Sequence, residues 1–128
     1  MKINKIIVDR SILDEQTKMY GIKFGGIGSN IKLNQIEFFG DILIPNTFNK
    51  ELRLKVIIYN KTDKICGTSY FDGINKNNQY LTFFIQFYDY LEDKENWTSK
   101  KLQEESIVKA KFFLVEQNQW WKGKILYV

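Results

Sequence analysis

The chain has 128 residues, a formal charge of +4, no histidine and a single cysteine, Cys66. That length suits one domain with one core, and 44% hydrophobic against 27% charged residues excludes a disordered tail. One cysteine excludes an internal disulfide framework and a cysteine-rich zinc module, and the missing histidine removes the commonest general base and metal ligand.

From Met1 to Arg10 lysines surround only a short apolar run, below the roughly 7–15 apolar residues of a secretory leader. No stretch approaches the roughly 20 apolar residues of a membrane helix. The expectation is a cytoplasmic chain without membrane contact. Ser11 to Lys18 admits a short helix with Ser11 as N-cap and Asp14 three residues on, or a plain loop. Tyr20 to Phe24 is strand-like, and the glycine cluster Gly25-Gly26-Ile27-Gly28-Ser29-Asn30 follows it. A phosphate-binding loop would end in Gly-Lys-Ser/Thr and open a helix; this one does neither, so it reads as a turn or bulge between strands.

Beyond it the pattern alternates with a period of two, the signature of strands. Ile36, Phe38, Ile42 and Ile44 share a face, with Gly40 where another group approaches the backbone closely or a bulge sits. After a turn at Pro45 to Asn49, Leu52, Leu54, Val56 and Ile58 line one face, and Arg53 and Lys55 begin a face expected to be wet. Asn60 to Lys64 is a turn before the strand Ile65 to Phe71, and Asn75 to Asn78 is another, since Asn and Asp tolerate left-handed backbone. Leu81, Phe83, Ile85 and Phe87 form a heavy apolar face opposite Tyr80, Thr82, Phe84, Gln86 and Tyr88. Glu92 to Ser106 is the longest break, with a helix near 100–105 as one option. Ala110, Phe112 and Leu114 alternate with Lys109 and Lys111, and a last strand runs from about Trp120 to Tyr127. These short strands make one domain over 1–128: a single antiparallel β-sandwich, immunoglobulin-like, of about seven or eight strands, with at most a short helix near 11–18 or 100–105.

The run Phe38-Phe39-Gly40-Asp41-Ile42, then Leu54 to Asn60, then Asp63-Lys64-Ile65-Cys66-Gly67-Thr68, resembles bacterial FxLYD-type and related immunoglobulin-like β-sandwich modules over roughly residues 36–90. Phe83-Phe84-Ile85-Gln86-Phe87 would fill the aromatic closing strand of that pattern, while Asn60 stands where it usually has Asp. The resemblance implies a sandwich of accessory or binding character and carries no catalytic residues.

Catalytic chemistry has little to work with. Cys66 lacks the histidine that would lower a thiol pKa, so it reads as a small packing residue. Asp89, Glu92, Asp93 and Glu95 form an acidic run interrupted by Lys94, without the regular spacing and glycine of a calcium loop. No metal or cofactor is expected, and the chain is not expected to be an enzyme. Adjacent Trp120 and Trp121 on a strand point to opposite faces. Trp120 then shares its face with Lys122 and Lys124, and Trp97 offers a second anchor in the polar segment. Large aromatics of this kind concentrate binding energy at protein interfaces. The expected function is therefore a small binding module contacting another protein through Trp97, Trp120, Lys122 and Lys124: an inhibitor, immunity or accessory subunit of a bacterial or phage system. The alternative is a β-barrel binding single-stranded nucleic acid by stacking on Tyr80, Phe84 and Tyr88 and pairing phosphates with lysines. Against it, only Arg10 and Arg53 among the 19 cationic residues are arginines.

Overall fold

The computed structural model describes residues 5–32, 35–77, 79–88 and 107–116. Within these the order is β1 (Lys5–Asp9), α1 (Ser11–Tyr20), β2 (Lys23–Phe24), β3 (Gly28–Lys32), β4 (Gln35–Leu43), β5 (Leu52–Tyr59), β6 (Ile65–Ile74), β7 (Tyr80–Tyr88) and β8 (Ile107–Glu116). One four-stranded sheet runs β1-β8-β5-β6. In the second, β4 is central, with β7 on one side and β2 and β3 on the other. Neither sheet closes into a barrel among the described residues.

Alternation carries the core. Leu52, Leu54, Val56 and Ile58 on β5 are fully buried, as are Ile36, Phe38 and Ile42 on β4. They meet Phe83 and Phe87 of β7 and Ala110, Phe112 and Leu114 of β8 in one cluster. The Phe112 ring stands edge-on to Phe38 at 5.2 Å and to Phe83 at 6.4 Å, so aromatics of the two sheets interlock. Each such pair adds roughly 0.5–1.5 kcal/mol beyond the area it buries. Gly40 lies opposite Phe83, and a β-carbon there would stand 2.6 Å from Phe83 Cε2, so only glycine admits the ring.

The glycine cluster forms a bulge. Phe24 pairs with Ile42 and Gly28 with Phe39, so four steps on the β2–β3 side answer three on β4. The turn after β5 also follows from its residues. Asn60 Oδ1 accepts from the backbone N–H groups of Thr62 at 2.9 Å and Lys64 at 3.0 Å, while Asp63 takes φ 64°.

Three expectations need correction. The first sheet is mixed rather than antiparallel, because β1 pairs parallel with β8, from Lys5 opposite Ile107 to Asp9 opposite Lys111. This edge strand has no alternating pattern of its own, and its register comes from a partner about a hundred residues away. The helix forms but Ser11 does not cap it. Arg10 is the N-cap, Ser11 donates through N–H and Oγ to Asp9 Oδ1, and Asp14 pairs with Arg10 at 2.9 Å instead of closing a capping box. The helix also runs on to Tyr20, which had read as strand, and stops where Gly21 adopts φ 73° and donates to Thr17 O. Lastly, the far face of β5 is not wet at Lys55, which is 6% exposed, its ammonium lying over the rings of Tyr70 at 5.5 Å and Phe113 at 5.7 Å. A strand flanked on both sides in the middle of a sheet has both faces available for cover.

Helix α1 packs Leu13 into the core and sets Gln16 against β8. The Gln16 amide donates to Leu114 O at 2.9 Å and accepts from Leu114 N–H at 2.6 Å. Beyond Asp9, where β1 ends, this side chain takes the place of a strand partner. One turn later Tyr20 packs edge-on against Phe48 and donates to Glu116 at 3.2 Å.

Candidate functional site

The second sheet turns one face to the core and leaves part of the other exposed, from Leu43 and Tyr80 to Phe39 and Phe84. Register partners share a face, and the outward rungs alternate in chemistry. Phe39 faces Phe84 across β4 and β7, and Leu43 faces Tyr80. These four are 36%, 50%, 49% and 60% exposed respectively, so two apolar rungs stand in solvent. Between them lies Asp41, which accepts from Thr82 Oγ1 at 3.1 Å. Beyond Phe39 the face is covered: Glu37, 3% exposed, accepts from Gln86 Nε2 at 2.9 Å.

The local sequence explains why these rings are exposed. Period-two alternation that buries Phe38 and Phe83 must send Phe39 and Phe84 the other way. Gly28, opposite Phe39 on β3, leaves room for the ring; a β-carbon there would collide with it. The exposed part of the face thus combines aromatic area with one carboxylate acceptor, Asp41. Isolated exposed apolar residues are ordinary, whereas these four lie together along two paired strands.

The sequence-derived aromatic platform is partly realised here. Tyr80 and Phe84 lie on the open face, and Tyr88 follows in the register opposite Gln35. Phe39 and Leu43 were missed as members, although their signal was available: they are the odd residues of an even-numbered core strand. The residues singled out as contact anchors, Trp97, Trp120, Lys122 and Lys124, lie outside the described residues. So do the acidic run at Asp89, Glu92, Asp93 and Glu95, the segment 92–106, and the strand 120–127.

Other chemistry is sparse. Cys66 is 4% exposed, belongs to the core cluster, and donates its thiol to Lys64 O at 3.6 Å. Among the described residues no group of three or more Cys, Asp or Glu side chains could hold a metal ion, and no helix is long and apolar enough to cross a membrane. The clearest electrostatic perturbations sit elsewhere. Hydrogen bonds from the Ser11 hydroxyl and amide hold the Asp9 carboxyl below its ordinary pKa. Burial, reinforced by the neighbouring Glu116 carboxylate, pushes Tyr20 up to about 12. No family model matches the chain, and neither curated proteins nor solved structures provide a match.

Proposed function

We propose that this protein is a non-enzymatic binding module, an immunoglobulin-like β-sandwich that works by contact with another protein as an inhibitor, immunity or accessory subunit of a bacterial or phage system. The observation that carries this reading is the open face of the second sheet, where Phe39, Leu43, Tyr80 and Phe84 are exposed together. Rigid aromatic area at low entropic cost is what protein contacts use as anchors. Asp41 beside the rings favours a partner whose apolar patch carries a lysine or arginine donor. On sequence grounds the contact extends to Trp97, Trp120, Lys122 and Lys124.

The Asp41 carboxylate weighs against the alternative, a single-strand nucleic-acid binder, because it places negative charge where phosphates would run. The test is affinity isolation from the native host with the wild-type chain, Phe84→Asp and Trp120→Ala, each checked for intact folding by circular dichroism. A stoichiometric protein lost with Phe84→Asp supports the reading. A partner retained by both variants defeats it, and an electrophoretic shift of single-stranded DNA at low salt would favour the alternative.

A further inference from the structure

The first sheet gathers lysines and isoleucines at one end of its outer face. Along β8, Ile107, Lys109 and Lys111 alternate with the buried Val108 and Ala110, so they point away from the core. Register partners share that face. Lys5, Ile7 and Asp9 of β1 lie opposite Ile107, Lys109 and Lys111, while Tyr59 of β5 stands between Lys109 and Ile65 of β6. The row Ile7-Lys109-Tyr59-Ile65 crosses the whole sheet, a width of roughly 14 Å. Ile7, Ile65 and Ile107 are 39%, 58% and 37% exposed. The turn from Asn60 to Lys64 closes the same end, with Lys61 and Lys64 exposed and Asp63 paired to Lys109 at 2.9 Å.

Charge sets the kind of partner. Lys109 is answered by Asp63, and Lys111 stands opposite Asp9 in the register. Lys5, Lys61 and Lys64 are exposed and make no ion pair with another described residue. Five lysines against two aspartates leave three positive charges at this end. The nearest charges along the chain outside the described residues keep that sign: Lys2 before β1, and Lys100, Lys101, Glu104 and Glu105 before β8. All these cations are lysines, without the planar fork that clamps a single phosphate. The one ring at this end among the described residues is the half-buried Tyr59, no platform for stacked bases. Protein interfaces are depleted in lysine and enriched in arginine and aromatics. Diffuse positive charge around exposed aliphatic side chains instead matches an anionic bilayer, whose headgroups attract lysines and whose interface accepts apolar side chains.

We propose that this end of the first sheet rests on an anionic lipid bilayer, with Lys5, Lys61 and Lys64 meeting the headgroups and Ile7, Ile65 and Ile107 entering between them. Contact of this kind needs no spanning helix. It departs from the expectation, drawn from the lack of a long apolar stretch, of a chain without membrane contact. The surface lies on the other sheet from Phe39, Leu43, Tyr80 and Phe84 and does not rest on the protein-contact reading.

The test is co-sedimentation of the full chain with vesicles of phosphatidylcholine, alone or with about one-third phosphatidylglycerol. Binding should require the anionic lipid and weaken as salt rises from about 50 to 200 mM. Lys61→Gln with Lys64→Gln, at exposed turn positions, should leave the thermal midpoint near wild type. The pair should weaken binding roughly 25-fold, about fivefold per lysine. Lys18→Gln with Lys23→Gln removes the same charge from exposed positions on α1 and β2 and should bind like wild type. Ile65→Ser should weaken binding severalfold at either salt. Absence of binding to the anionic vesicles overturns the proposal, as does equal binding to both vesicles. Equal weakening by the two lysine pairs, or an Ile65→Ser variant that binds like wild type, overturns it too. An electrophoretic shift of DNA abolished by Lys61→Gln with Lys64→Gln would assign the patch to nucleic acid instead.

Discussion

Replacing Gln16 by methionine keeps the length and volume of the side chain and removes both of its hydrogen bonds to Leu114. A strand residue points its N–H and C=O to the same side. At Leu114 that side faces away from β5 and toward the edge where β1 has already stopped at Asp9. The two bonds, at 2.9 and 2.6 Å, connect groups in buried surroundings, and Gln16 itself is only 1% exposed. Each bond contributes roughly 0.5–1.5 kcal/mol net, and each buried group left unpaired costs about 1–3 kcal/mol. Gln16→Met should therefore destabilise by about 2–4 kcal/mol. At this chain length each kcal/mol lowers the midpoint by roughly 3–5 °C, giving a drop of roughly 6–20 °C. Urea unfolding would measure it, with the slope unchanged if the native state stays compact, and hydrogen exchange would show Leu114 N–H losing protection. A variant within about 0.5 kcal/mol of wild type, with that amide still protected, would refute the role assigned to Gln16.

Two further outcomes follow from the packing and the charges. Gly40→Ala should cost roughly 1–3 kcal/mol, because its β-carbon meets the fully buried Phe83 ring and lies 3.0 Å from Gly26 O. Gly28→Ala meets only the exposed ring of Phe39, which is free to swing, so its cost should stay below about 1 kcal/mol. Equal thermal midpoints for the two variants would remove the close-approach argument. For Tyr20, whose pKa stands at about 12 against an ordinary 10.0, the folded state holds the proton more tightly than the unfolded one. Its stabilising contribution is complete below the unfolded value and is lost as pH rises toward 12. Tyr20→Phe should flatten that alkaline decline in urea midpoints, and an unchanged decline would assign it to another group.

Strand identity was legible wherever the residue types alternate. Leu52 to Ile58, Leu81 to Phe87 and Ala110 to Leu114 each read as β from alternation alone, and each is a strand. Turn chemistry was equally local, since Asn60 satisfies its neighbours and Asp63 supplies the left-handed residue. Gly40 and the Gly25–Gly28 cluster stood out because a missing side chain within a strand pattern must serve backbone approach or a bulge. The errors arose where a partner far along the chain decided the outcome. Lys55 looks solvent-facing in its strand, yet it is buried, with its ammonium over the rings of Tyr70 and Phe113 from the two flanking strands. Ser11 is a local exception: it looks like a cap, yet Asp9, two residues before it, takes its hydroxyl and amide.

The sequence by itself determined that this is a β-rich chain with a short helix option near its start and a core of alternating Ile, Leu, Val and Phe. These properties depend on side-chain period and residue chemistry, which act over a few neighbouring positions. Tertiary structure alone decided that β1 lies parallel to β8, that Gln16 finishes the edge β1 leaves open, and that Phe39 and Leu43 join Phe84 and Tyr80 on one exposed face. Each of these depends on strand order and register, and those are set when the apolar faces of distant segments are buried together.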